Sequence, residues 1–546
     1  MCGILLIHSN SHIEREYVKE HLYLLETLEK RGPDKTNVYS NNNVVFGHTR
    51  LCIHDVSEIG SQPFTISYFD TNEGRNVSCT LIVNGEIYNY REIIEDHKLT
   101  GLKSESDCEV IIMLWKKYQD FDKIIDIIRG EFAFVLHIEY LQTETKPYEY
   151  VTYICRDAFG VRPLFWNIKD GVHFFGSTFT SVGKGGQVFR PGQYLCLTPN
   201  GMFETDYYIY PQLIDAVERD IKTIYINITD KFIHAVKIRL SSDRKIGLTL
   251  SGGTDSSIVG GVATMLGIKD LHTFTTGLLG SDDIRKAELC AKHIGSIHKT
   301  IIKTAEYACS LIVKAINIAE TWDITTIRAI IWQIIVAEDI SIHTNIKVVL
   351  NGDGADELLM SYKENYLAPN EEKAFDNVTY RLKNIHKYDG LRMDRAISNY
   401  GMEARPPFLD VDFVDYIRTI DPALMIPIKG VRIEKDIFRQ AFKSLYPDII
   451  PDEILFAEKN AFSDSVSDMD SGKSWIDIIQ EHIETIVSDE EYNDRHARFA
   501  DCHSKEAYYY KKIFFENFGD NFSIIGELWL PQWTSTLEPS AKSLIV

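Results

Sequence analysis

The chain has 546 residues, beyond the roughly 250 to 300 at which single cores stop growing, so more than one domain is expected. Hydrophobic residues make up 44% and aromatics 11%, enough for packed cores, while 58 Lys and Arg against 79 Asp and Glu leave a formal net charge of -21. That balance argues against a binder of duplex nucleic acid or of an anionic membrane, and any polyanion must be met by local basic or backbone groups.

The opening residues lack a charged leader and a long apolar core, and no run of about 18 apolar residues occurs. The nine cysteines are scattered without a Cys-x-x-Cys pair and read as reduced thiols. A soluble cytoplasmic protein is the expectation. In chain order, short apolar runs at 3–7, 44–46, 81–83, 132–138, 150–154 and 172–175 predict strands, and helical periodicity covers 14–30 and 109–118. This is an α+β layered pattern. After about Asp206 the rhythm changes: 246–250, 271–276 and 347–350 read as parallel strands, with helices starting near Ser257, Asp283 and Ala305. Two domains are expected, 2–205 and 206–546.

Two features carry chemistry. Removal of Met1 would leave Cys2 as the first residue, holding a thiol nucleophile and, in its α-amine, a base to activate it. Reference pKa values of about 8.5 for the thiol and about 8 for the amine lie close together. A cysteine at this place can also be incidental. The second feature is Ser251-Gly252-Gly253-Thr254-Asp255-Ser256-Ser257, at a predicted strand-to-helix turn. Glycines let the backbone approach an oxyanion, serines donate hydroxyls, and the helix start offers unpaired N–H groups to phosphate. A Walker-type loop is excluded, because at Gly472-Lys473-Ser474 the required upstream glycine is Ser467. The pattern instead matches pyrophosphate loops of enzymes that adenylate a carboxylate.

With these motifs the chain resembles the glutamine-hydrolysing asparagine synthetases over nearly its full length. The first half carries Met1-Cys2-Gly3-Ile4, Arg31-Gly32-Pro33-Asp34, Gly47-His48-Thr49-Arg50-Leu51, Val83-Asn84-Gly85-Glu86-Ile87-Tyr88-Asn89 and Ser106-Asp107-Cys108-Glu109, with Arg156-Asp157 before Gly160-Val161-Arg162-Pro163-Leu164. The second half carries the Ser251–Ser257 loop, Trp322-Asp323-Ile324-Thr325-Thr326-Ile327-Arg328, Asn351-Gly352-Asp353-Gly354-Ala355-Asp356-Glu357 and Gly401-Met402-Glu403-Ala404-Arg405-Pro406-Pro407. The resemblance implies an α+β glutaminase domain of the layered αββα, N-terminal-nucleophile type. An α/β parallel-sheet synthetase domain of the ATP-pyrophosphatase type follows it.

It also implies the site residues. Cys2 would attack the carboxamide of glutamine, with the Asn84 side chain and the Gly85 N–H stabilising the oxyanion. Arg50, Leu51, Ile53, Asn84, Glu86 and Asp107 would bind glutamine. Without the resemblance, Asn84-Gly85 reads more readily as a hairpin turn and Arg50 as a surface arginine. Leu250, Ser251, Gly252, Gly253, Asp255, Ser256, Thr276, Asn351 and Gly352 would hold ATP. Asp353 and Lys459 would act in adenylate chemistry, and Arg328 and Glu357 would lie on the aspartate or phosphate side. Asp255 and Asp356 would take Mg2+ brought with ATP. Lys459 alone reads as solvated surface, and Asp356 with Glu357 as a helix N-cap cluster.

The implied reaction converts L-aspartate to L-asparagine through a β-aspartyl adenylate, with ammonia from glutamine passed internally between the halves, and releases AMP and pyrophosphate. Partners are glutamine, aspartate and ATP, with no nucleic acid, no membrane and no organic prosthetic group; a homodimer is one open assembly. Asp353 stands where some relatives have Glu, Asn351 replaces the usual Ser, and Ser361 and Ser465 replace Gly. A related adenylating amidotransferase and an inactive relative stay open as alternatives.

Overall fold

A computed structural model describes residues 1–215, 218–457, 473–524 and 528–539. The chain divides into two compact units, Met1–Ile209 with Ser241–Arg244, and Tyr210–Leu240 with Lys245–Val546. Among the described residues no helix is long and apolar enough to cross a membrane.

The first unit is built on β1 (Gly3–Ser9), β2 (Lys35–Asn41), β3 (Val44–Arg50), β4 (Phe64–Asp70), β5 (Arg75–Ile87), β6 (Gly130–Tyr140), β7 (Glu149–Arg156), β8 (Phe165–Lys169), β9 (Val172–Gly176), β10 (Gln187–Val188), β11 (Gln193–Thr198) and β12 (Gly201–Asp206). They form two six-stranded sheets in the orders β10-β8-β9-β1-β3-β2 and β12-β11-β7-β6-β5-β4. Ile4, Leu6 and Phe46 of one sheet share a core with Ile82, Val135, Ile154 and Leu195 of the other. The outer face of the second sheet is covered by the helices Tyr90–Asp96, Glu109–Tyr118 and Phe121–Ile127, through Ile93, Ile112, Trp115 and Phe121. Leu24 and Leu25 cover the first sheet, where a Cβ on Gly47 would lie 2.8 Å from Leu25 Cδ1. The result is the predicted helix–sheet–sheet–helix layering. With both faces covered, β3 reads as a fully buried run rather than an alternating one.

The helix predicted over 14–30 is two pieces, Arg15–His21 and Tyr23–Glu26. At the join Leu22 N bonds Lys19 O at 3.4 Å, and three-residue bonds flank the second piece, Leu25 N to Leu22 O at 2.9 Å and Leu28 N to Leu25 O at 3.0 Å. Leu24, Leu25 and Leu28 are brought into the core, and apolar spacing alone does not show where one helix gives way to the next.

The second unit carries a five-stranded, all-parallel sheet of β13 (Ile246–Thr249), β14 (His272–Gly277), β15 (Ile297–Ile302), β16 (Val348–Leu350) and β17 (Glu403–Arg405), in the order β15-β14-β13-β16-β17. The three predicted strands are present. β15 is half-exposed and polar, and β17 is three residues with two charges, so neither shows as an apolar run. Arg405 Nε donates to Glu403 Oε1 at 2.8 Å, which lets both charges be buried. Strand order reverses between β13 and β16, which is where open parallel sheets bind ligands beyond the strands' carboxyl ends.

Candidate functional site

A cavity of about 170 Å³ opens at that switch point. Leu250 and Ser251 reach it from the end of β13, Thr276 from β14, and Asn351 and Gly352 from the end of β16. The turn after β13 is held by its own hydroxyls: Ser251 N donates to Ser256 Oγ at 3.1 Å, and the two serine oxygens lie 3.0 Å apart. Gly252 has φ +81°, and a Cβ there would meet Asp283 O at 2.4 Å, so both the left-handed backbone and the space require glycine. Gly253 caps the helix Thr254–Met265, whose first N–H groups face the turn. Gly352 sits against the same helix start, where a Cβ would lie 2.8 Å from Ser256 N.

The opposite wall is acidic. Asp353, Asp356 and Glu357 line the cavity with Asp389 and Arg392. Arg392 Nη2 is 3.4 Å from Asp353 Oδ1, and its Nη1 pairs with Asp389. Burial pushes the Asp353 carboxyl up to about 6; Arg392 opposes that rise, and Glu357, Asp356 and Asp255 add to it. Burial, then the adjacent Asp356, also raises Glu357, which accepts a hydrogen bond from Tyr362. Lys435, with φ +60° at the start of the helix Asp436–Leu445, buries its ammonium between Asp255 Oδ2 at 2.6 Å and Asp356 Oδ1 at 2.5 Å. Asp255 Oδ1 remains buried without a protein partner. The carboxylates fit one face of a divalent cation's shell, though among the described residues no three His, Cys, Asp or Glu converge on a metal position.

One expected residue lies away from the cavity lining. Arg328 does not line the cavity: its guanidinium donates to Glu506 at 2.6 and 2.8 Å and to Glu538 at 2.6 Å. Lys459 and Ser465 lie outside the described residues. Lys435, Asp389 and Arg392 are site residues that sequence reading missed. Each sits in a stretch that reads as ordinary charged helix surface, and only tertiary burial distinguishes them.

In the first unit, Cys2 precedes β1 and meets the end of β3. Its Sγ accepts from Leu51 N at 3.4 Å and faces Leu51 O at 3.8 Å. Met1 is buried, with its sulfur 2.6 Å from Arg162 Nη1, and Arg162 pairs with Glu131 at 2.9 Å. Asn84 is fully buried in β5, with neither its Nδ2 nor its Oδ1 bonded within the protein. An orphaned amide in a core is costly, so it marks a place where an outside group is received. Asn84 and Gly85 are not a hairpin turn: they pair with Ala133 and Phe132 inside the β5–β6 ladder. A Cβ on Gly85 would lie 2.1 Å from Glu131 O.

Carboxylates converge next to this amide. Asp107 Oδ2 accepts from Ile87 N at 2.7 Å, and Glu86 Oε2 lies 3.2 Å from His54 Nε2. Burial, then the Glu86 charge, raises Asp107 far above the usual carboxylate range. Burial, followed by the fields of Asp107, Glu86 and Cys2, raises the Cys108 thiol, which sits 3.4 Å from Gly85 O. Cys2, Glu86 and Asp107 are therefore all near enough to Cys108 for their charges to act on it. Arg50 is buried, donating to Ser57 O at 2.6 Å, to Ser61 Oγ at 3.1 Å and to Asp55 O. Ile53 is buried, and its carbonyl accepts from Asp243 N at 3.2 Å.

Comparison with known proteins agrees with both halves. The glutamine amidotransferase domain model matches residues 1–194, and the asparagine synthase model matches 227–379 and 367–536. A probable glutamine-hydrolysing asparagine synthetase of Acanthamoeba polyphaga mimivirus is 34% identical, with all of both chains covered. The chain belongs to the glutamine-hydrolysing asparagine synthetase family. The synthetase of Homo sapiens is 33% identical over 95% of this chain and 94% of its own, and synthetase 1 of Arabidopsis thaliana is 32% identical over 100% and 94%.

Proposed function

We infer that this protein makes L-asparagine from L-aspartate, ATP and the amide nitrogen of glutamine. The observation that carries this reading is the cavity at the β13/β16 switch point, where a phosphate-type loop faces buried carboxylates and Arg392. An aspartate β-carboxylate oxygen attacks the α-phosphorus of ATP, and pyrophosphate leaves. Activation is required because a carboxylate oxygen is a poor leaving group at neutral pH. Ammonia then adds to the activated carbonyl, loses a proton and expels AMP. Ser251, Ser256 and the N–H groups at the start of the Thr254–Met265 helix bind the leaving phosphates. Asp353 is suited to take the proton from ammonia. Lys459 is proposed from its sequence motif as a further phosphate cation. Asp255 and Asp356 would hold Mg2+, which would screen the phosphate charge.

In the other unit, Met1 removal exposes the Cys2 amine, and the thiol attacks glutamine. The Asn84 amide and the Gly85 N–H receive the oxyanion, a stabilisation worth about 10²-fold or more in rate. Glutamate and ammonia are the products after water resolves the thioester. The test supplies [15N-amide]glutamine, aspartate and ATP to the purified chain. Labelled asparagine with equal AMP and pyrophosphate is expected. Cys2→Ala should lose the glutamine-dependent reaction while retaining synthesis from ammonium. Hydrolysis of glutamine without aspartate-dependent pyrophosphate would overturn the synthetase reading.

A further inference from the structure

One buried pair in the first unit has no part in the scheme above. His54 follows Ile53 on the loop after β3, and its ring is buried with Nε2 3.2 Å from Glu86 Oε2. The ring also packs 5.8 Å from that of Tyr90, the first residue of the Tyr90–Asp96 helix. We propose that His54 is a positioning residue for glutamine: it fixes the Glu86 carboxylate in the pocket and sets how readily Asp107 offers a negative charge to the substrate's α-ammonium.

The proposal rests on the reading of Glu86 and Asp107 as glutamine-binding groups. The Glu86 charge opposes ionisation of Asp107, and the single α-ammonium of a zwitterionic glutamine cannot neutralise both carboxylates. His54 supplies the missing element. It brings a ring nitrogen to Glu86 and, when protonated, a positive charge that draws Asp107 back toward its ionised form, against burial and Glu86. Charged and aromatic groups face His54 from several elements. Glu86 faces it from β5, Tyr90 from the following helix, and Asp107 from the turn before the Glu109–Tyr118 helix. Arg50 and Asp55 share its own loop, where Asp55 accepts from Ser57 N and Glu105 N, and Asp55 N donates to Asp243. The arginine is occupied by Asp55, Ser57 and Ser61, whereas His54 contacts Glu86 and, once protonated, brings positive charge to the carboxylate pair.

Asp107 accepts an ammonium only when ionised, so glutamine capture is present above its pKa and fades as pH falls through it. Removing the His54 charge raises that pKa further and moves the acid limb of glutaminase kcat/KM to higher pH. His54→Leu should raise the glutamine KM about tenfold or more, as expected for loss of a charge-assisted contact, with kcat within about threefold. Its acid limb should shift upward by about one pH unit. His54→Gln keeps a hydrogen-bond donor without the charge, so it should recover most of KM and retain the shifted limb. Ammonium-dependent synthesis serves as the folding control, and if His54→Leu fails it, the Gln variant carries the pH test. An unchanged KM and acid limb in His54→Leu would overturn the proposal. So would a loss of kcat alone in both variants with the limb fixed, which is what a merely structural histidine gives. Asp107→Asn separates the two readings: an unchanged glutamine KM there refutes the pocket itself, whereas a raised KM beside a silent His54 refutes only the role of the histidine.

Discussion

At the cavity's acidic wall, Asp353 is the side chain whose charge depends most usefully on pH. Burial holds its carboxyl up at about 6 despite Arg392 at 3.4 Å. A group with that pKa is ionised above about pH 6 and can take a proton from ammonia, whereas below it the base is lost. Asparagine synthesis from ammonium should therefore decline as pH falls through about 6. Asp353→Asn should cut synthesis by about 10²-fold while glutamine hydrolysis continues, with residual activity no longer showing that limb; measuring product at several pH values with saturating aspartate checks both. A limb that survives in the Asn variant removes Asp353 as its source. The site's motif-borne residues were legible because Ser251–Ser257 and Asn351–Glu357 are contiguous in the chain. Asp389 and Arg392 were not, since they reach the cavity from a helix start distant in sequence, and neither was Lys435, which meets the cavity's Asp255 and Asp356 from the start of another. Arg328 shows the converse: a motif places it near substrate, and the fold pairs it with Glu506 and Glu538.

Among the strands, the far end of β1 carries an unsatisfied cluster that no motif marks. His8 pairs in register with His173 of β9 and faces Tyr150 of β7, with ring centroids at 5.9 and 5.1 Å. Neither ring nitrogen of His8 has a protein partner. Burial, then His137 and His173, lowers its pKa to about 3. The folded state therefore keeps it neutral while the unfolded chain binds a proton near pH 6.5, so stability is complete above about pH 6.5 and falls as pH drops toward 3. Between pH 7 and 5 this single group removes about 2 kcal/mol from the glutaminase unit. Thermal denaturation followed through glutaminase activity should show a lower midpoint at pH 5. His8→Leu should shrink that pH dependence by a comparable amount; an identical dependence in the variant would assign the acid sensitivity to other groups. Alternation and apolar runs found the central strands of both units, because their residues are apolar where they are buried. They missed β17, whose burial depends on an internal ion pair, and they merged the separate helices Arg15–His21 and Tyr23–Glu26 into one.

For the whole molecule, the decisive feature is that each compact unit holds a candidate site of its own: the Cys2 thiol and an orphaned amide in the first, and a glycine-rich turn facing buried carboxylates in the second. A chain carrying both gains from the combination only if the nitrogen released at one is used at the other. Ammonia that equilibrates with neutral water is mostly protonated, and ammonium is no nucleophile, so escape would waste both glutamine and ATP. Transfer without mixing is therefore expected. With unlabelled glutamine as donor and excess 15N-ammonium in solution, the asparagine amide should stay mostly unlabelled. Raising the ammonium concentration should increase the labelled fraction only where synthesis from ammonium competes directly, a contribution that the Cys2→Ala variant measures by itself. Once that contribution is subtracted, label matching full equilibration with the bulk pool would show that the two sites work as independent enzymes in one chain.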